Sequence, residues 1–124
     1  MVTVTWYEVT IDCLDVPRVA SFWSGLLGGE PYEPMPGWLR LDGRPGAPML
    51  NFQPVPEPKS GKARVHLDLL TDDLPAALDR VRRLGGGETG ERHDHDEGTV
   101  VVLVDPEGTE FCLVAYHGRP AARL

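Results

Sequence analysis

Cysteine is scarce in this chain of 124 residues, which has only Cys13 and Cys112, too few for the disulfide framework of a small secreted domain. Basic charge is also in deficit. Twelve Lys and Arg stand against 19 Asp and Glu, a formal charge of −7, which argues against nucleic acid or an anionic membrane surface as a partner. No apolar run approaches the roughly 18 residues that a membrane span needs. The opening Met1-Val2-Thr3-Val4-Thr5 has neither the basic start nor the apolar stretch of a signal peptide. With two unbridged cysteines, that leads us to expect a reducing cytoplasm. Aromatic residues are few, three each of Trp, Tyr and Phe, which limits the lining available to a deep aromatic groove. What remains is an ordinary globular composition, 41% hydrophobic and 25% charged, in a length that suits one domain.

The chain is organised as a repeat. Val9-Thr10-Ile11-Asp12-Cys13 reads as a strand running into a helix near Val16-Pro17, and Val65-His66-Leu67-Asp68-Leu69-Leu70-Thr71 does the same ahead of Leu74-Pro75. Val19, Phe22, Trp23, Leu26 and Leu27 share one face of the first helix, as do Leu74, Ala77, Leu78, Val81 and Leu84 in the second. Asp15 and Asp72 or Asp73 are the expected N-caps, with Pro17 and Pro75 in the first turns, and glycines follow both helices. Each half then continues in short β-like runs: Trp38–Leu41 and Met49–Phe52 in the first, Val100–Val104 and Phe111–Val114 in the second. Each half therefore reads as a strand, a helix and about three strands. We expect an α+β fold of two tandem βαβββ modules, residues 5–56 and 65–116, with a connector at 57–64 and a tail at 117–124. Alone, a module of about 60 residues is marginal. Paired modules would form a cupped mixed sheet with the helices outside and a cleft within, and exchange of halves makes a homodimer plausible.

Strand alternation sorts the side chains. With Val9, Ile11 and Cys13 towards the helix, Glu8, Thr10 and Asp12 take the other face. His66 and Asp68 do so in the second half, and Glu110, Cys112 and Val114 in the last strand. Glu8 and His66 correspond, each seven residues before an aspartate at a helix start, Asp15 and Asp73. A Glu, a His and a Glu thus fall on one face, a set that suits a divalent transition metal with positions left open for a substrate. Three other features read more simply. Asp105-Pro106-Glu107-Gly108 is a β-turn. The stretch His93-Asp94-His95-Asp96-Glu97 sits in the loop or hairpin of the second module as a solvated acidic segment, with adventitious metal binding as the alternative. The connector around Lys59, Lys62 and Arg64 is a linker, or a flap over an anionic ligand.

The paired halves, the His66-Leu67-Asp68-Leu69 strand, the Asp72-Asp73-Leu74 helix start and the closing Asp105-Pro106-Glu107-Gly108-Thr109-Glu110-Phe111-Cys112 resemble the vicinal oxygen chelate superfamily over about residues 5–116. Members include glyoxalase I, extradiol dioxygenases, methylmalonyl-CoA epimerase, fosfomycin-resistance transferases and bleomycin-binding proteins. Phe52-Gln53-Pro54-Val55-Pro56-Glu57-Pro58-Lys59 is similar to the bacterial glyoxalase-like branch. The resemblance implies a divalent metal (Ni, Zn, Mn or Fe) held by the first and last strands of both modules. Those positions are Glu8, His66 and Glu110 here, with the fourth near Met49, a poor ligand for such an ion. Asn51 and Gln53 share the face of Met49. Glu110 or Glu8 would shuttle a proton, and Trp6, Met49, Asn51, Gln53 and Cys112 would contact substrate; Trp38 is expected in the core. A nucleophilic role for Cys112 is disfavoured, since burial would raise its pKa. Two main readings follow: a metal-dependent lyase, isomerase or dioxygenase acting on a small oxygen-bearing metabolite, or a metal-free protein that sequesters a drug or metabolite. A regulatory module that has lost its chemistry is the third.

Overall fold

The computed structural model describes residues 2–118, so most of the expected tail lies outside the described residues. The fold is α+β, and the chain divides after Pro58 into two compact units. In the first unit, β1 (Glu8–Cys13) leads into α1 (Val16–Leu27), followed by β2 (Leu39–Leu41) and β3 (Met49–Pro54). The sheet order is β1-β3-β2, with β1 parallel to β3 and β2 antiparallel to it. The second unit contains β4 (Leu67–Leu70), α2 (Leu74–Arg83), β5 (Gly87–Asp94), β6 (Gly98–Val104) and β7 (Glu110–Tyr116), in the order β4-β7-β6-β5.

Both helices start where their caps place them. The Asp15 carboxylate accepts from the Arg18 amide at 3.2 Å and the Asp73 carboxylate from the Ala76 amide at 3.1 Å, with a proline in each first turn. The second helix closes in a Schellman arrangement: the Gly86 amide reaches the Val81 carbonyl and the Gly85 amide the Arg82 carbonyl, with Gly85 at φ 100°. Val16, Val19, Ala20, Phe22 and Trp23 bury one face of α1 with Ile11, Cys13, Leu41, Leu50 and Phe52. The Phe22 and Trp23 rings meet edge to face at 5.5 Å. In the second unit Leu78 and Val81 are buried along with Val101, Leu103, Phe111 and Leu113.

Three expectations are corrected. The first unit has two strands after its helix, not about three. A single bridge, Tyr32 to Arg40, stands where the extra strand would be, because Pro31, Pro34 and Pro36 remove the amide donors that a ladder needs. Val65 is 83% exposed, since β4 begins only at Leu67. Trp38 is only partly buried; the core tryptophan is Trp23, fully enclosed on α1.

Candidate functional site

The register of the first sheet builds a polar face. In β1 and β3, Glu8 pairs with Met49, Thr10 with Asn51 and Asp12 with Gln53, while Arg40 of β2 lies beside Asn51. Paired residues point to the same side, so Glu8, Thr10, Arg40, Met49, Asn51 and Gln53 share the face opposite Ile11, Leu50 and Phe52. Arg40 Nη2 lies 3.2 Å from Glu8 Oε2, and the guanidinium stands over the Tyr7 ring at 6.0 Å. Asn51 is 2% exposed, and its amide nitrogen makes only a long contact, 3.5 Å, with the Thr10 hydroxyl. Among the described residues, Glu8 Oε2, Arg40 Nε and Asn51 Oδ1 are all buried without an aligned hydrogen-bond partner. Trp6 is 87% exposed, next to a shallow hollow formed by Val4–Glu8.

The second unit repeats the pattern with other side chains. Leu67 pairs with Phe111 and Asp68 with Cys112, and His66 and Glu110 each come one residue before the first of these pairs. Glu110 is gripped by the connector: Lys59 Nζ lies 2.8 Å from Oε1, and the Ala63 amide donates to Oε2 at 3.0 Å. The Lys59 ammonium and then the Ala63 amide hold its carboxyl below the ordinary glutamate range, against the opposing effect of burial. His66 Nδ1 is 2.9 Å from Asp68 Oδ1 and 3.8 Å from Cys112 Sγ. Burial, then the Asp68 charge, push the Cys112 thiol up. The other two histidines of interest are placed as a surface hairpin: His93 lies in β5 with Nε2 2.8 Å from Glu91 Oε2, and His95 opens the turn back to Gly98, the two rings near parallel at 6.4 Å.

The structure thus places His66 and Glu110 each one residue before the paired Leu67 and Phe111 in the second unit and puts Glu8 on the polar face of the first. As a donor set these three fit a divalent ion poorly. Both carboxylates already carry a cationic side chain, Arg40 on Glu8 and Lys59 on Glu110, and the fourth position offers the thioether of Met49. Sequence reasoning missed Arg40, read Lys59 only as part of a linker or flap, and placed Asp68 on the face of His66 without giving it a role. The alternation Leu39-Arg40-Leu41 is the signal that marks Arg40, an arginine flanked by apolar residues in a strand and hence facing away from the core.

A mixed sheet with a capped helix, built twice from matching registers, defines a duplicated β-α-β module of the glyoxalase/bleomycin resistance fold. A family model, the glyoxalase-like domain, matches residues 8–114, and the chain belongs to that family within the vicinal oxygen chelate superfamily. Solved structures agree on the fold. A glyoxalase/bleomycin resistance protein/dioxygenase from Nocardioides is 17% identical with a TM-score of 0.71, over 100% of this chain and 91% of its own. A family enzyme of the same description from Burkholderia phytofirmans is 20% identical with a TM-score of 0.71, over 89% and 97%. The fosfomycin resistance protein FosX from Mesorhizobium loti is 15% identical with a TM-score of 0.69, over 95% and 96%. No curated protein matches the sequence. Among the described residues, no helix is long and apolar enough to cross a membrane.

Proposed function

We propose that this chain is a small-molecule-binding protein that sequesters an oxygen-bearing drug or metabolite, without a divalent ion at Glu8, His66 and Glu110. One observation carries the reading: beside the Glu8–Arg40 ion pair, Arg40 Nε and Asn51 Oδ1 are buried on one face with hydrogen-bonding capacity unused. Folded proteins rarely leave such atoms unmatched, and each costs about 1–3 kcal/mol when they do. A ligand group that accepts from Arg40 and donates to Asn51, such as a carboxamide, a carboxylic acid or a hydroxyketone, would meet both needs at once. The protein acts in the cytoplasm as a homodimer in this reading, in keeping with two cysteines that are both buried and unbridged. The test is a thermal-shift and calorimetric screen of untagged protein against oxygen-bearing drugs and metabolites. We expect a binder whose affinity falls at least about tenfold, roughly 1.4 kcal/mol, in Arg40→Ala and Asn51→Ala. Hits that bind both variants as tightly as the wild type would overturn the assignment of the face.

A second reading rests on His66 and Glu110 each standing one residue before the paired Leu67 and Phe111: a divalent-metal-dependent lyase, isomerase or dioxygenase in which Glu110 or Glu8 moves a proton. A metal near one equivalent in untagged wild type, lost in His66→Ala, Glu110→Ala and Glu8→Ala alike, would decide for it.

A further inference from the structure

His66 shares a second donor set, with Asp68 and Cys112, whose chemistry differs from that of the Glu8, His66 and Glu110 set. Asp68 of β4 and Cys112 of β7 are directly paired, and His66 lies two residues before Asp68, just ahead of β4. Their ligand atoms, an imidazole nitrogen, a carboxylate oxygen and a thiol sulfur, all lie within 4.8 Å of one another. We propose that these three side chains bind a zinc-type ion as a three-ligand site, independently of Glu8 and Glu110.

The geometry supports this. Zinc bonds of about 2.0–2.3 Å in a tetrahedral arrangement place donors roughly 3.3–3.7 Å apart. Cys112 Sγ to His66 Nδ1 is 3.8 Å and His66 Nδ1 to Asp68 Oδ1 is 2.9 Å, each less than an ångström from those spacings, and the third pair lies within 4.8 Å. The mixture of sulfur, nitrogen and oxygen is what a borderline-soft ion takes, and the fourth position stays open to water or to a small ligand. On binding, the thiol gives up its proton, and the imidazole presents Nδ1 as the donor with its proton on Nε2. The site does not depend on the function proposed above, and its failure would leave that reading standing.

The test uses untagged full-length protein and cobalt(II) as a spectroscopic stand-in for zinc, followed by zinc competition. We expect one equivalent of cobalt to give a thiolate-to-cobalt charge-transfer band that zinc abolishes. The band should vanish in Cys112→Ser. Asp68→Asn should keep the band but weaken zinc binding by more than the roughly 10–100-fold typical of losing a residue that only supports a ligand. Glu110→Gln and Glu8→Gln should bind as the wild type does. The proposal is overturned if wild type binds no cobalt. It is equally overturned if cobalt binds without a thiolate band, or if binding survives Cys112→Ser and is lost in Glu110→Gln, which would hand the ion to the superfamily positions. Should Cys112→Ser fail to fold, the wild-type band together with the Asp68→Asn and Glu110→Gln results still decides.

Discussion

Glu110 shows how a single side chain ties local electrostatics to folding. Its carboxylate is stabilised in the charged form by Lys59 and by the Ala63 amide, so its folded-state pKa lies below its ordinary value of 4.5. A depressed carboxyl pKa contributes stability that is fully present above the unfolded-state value and is lost as the pH falls through the folded-state value. Glu110→Gln should therefore unfold more easily than wild type at neutral pH, and the difference should shrink on acidification below about pH 4.5. Denaturant titrations over that range check this; a difference that does not change with pH would mean that the grip of the connector on Glu110 is not electrostatic. At the same scale, Phe52 is fully enclosed in the first unit. Phe52→Ala should cost about 3–5 kcal/mol, read as a drop in the denaturation midpoint.

Elements are set by their ends and by their close approaches. Asp73 caps α2 through the Ala76 amide, so Asp73→Ala should cost about 1 kcal/mol and Asp73→Ser much less. Gly98 opens β6 against the β7 backbone, where an added methyl would run into the Ala115 carbonyl oxygen. Gly98→Ala should thus destabilise the second unit, and chemical denaturation would show it as a lowered midpoint. Elements defined by local chemistry were legible in the sequence. The caps Asp15 and Asp73, the inward faces of both helices (except Leu27, which is 42% exposed at the end of α1) and the Asp105–Gly108 turn, in which the Asp105 carboxylate accepts from the amides of Glu107 and Thr109, all follow from neighbours a few residues apart. Alternation likewise put Glu8, Asn51 and Cys112 on their faces. The partners of the candidate ligands were not legible. Arg40 meets Glu8 from 32 positions away and Lys59 meets Glu110 from 51, and such pairings depend on strand order and on the path of the connector, which no local pattern encodes. The missing third strand of the first unit was readable in retrospect from its prolines, whose lost donors outweigh the expectation set by the repeat.

At the scale of the whole molecule, the duplication has kept a scaffold and changed its chemistry. Counting back from the capping aspartates Asp15 and Asp73, Glu8 corresponds to His66 and Thr10 to Asp68. Pairing extends the correspondence, since Asn51 faces Thr10 as Cys112 faces Asp68, and Arg40 flanks Asn51 as Val102 flanks Cys112. Equivalent backbone positions thus present Glu, Thr, Asn and Arg in one unit and His, Asp, Cys and Val in the other. If ion binding is a property of the side chains that this scaffold presents, it should be transferable between the units. The variant Glu8→His, Thr10→Asp, Arg40→Val, Asn51→Cys places the second unit's donors on the first unit's strands and removes the guanidinium that would repel an ion. It should take up a second equivalent of cobalt with a second thiolate band, while the same variant with Asn51 retained should take up only one. A folded quadruple variant that still binds a single equivalent would show that the donors alone do not make the site.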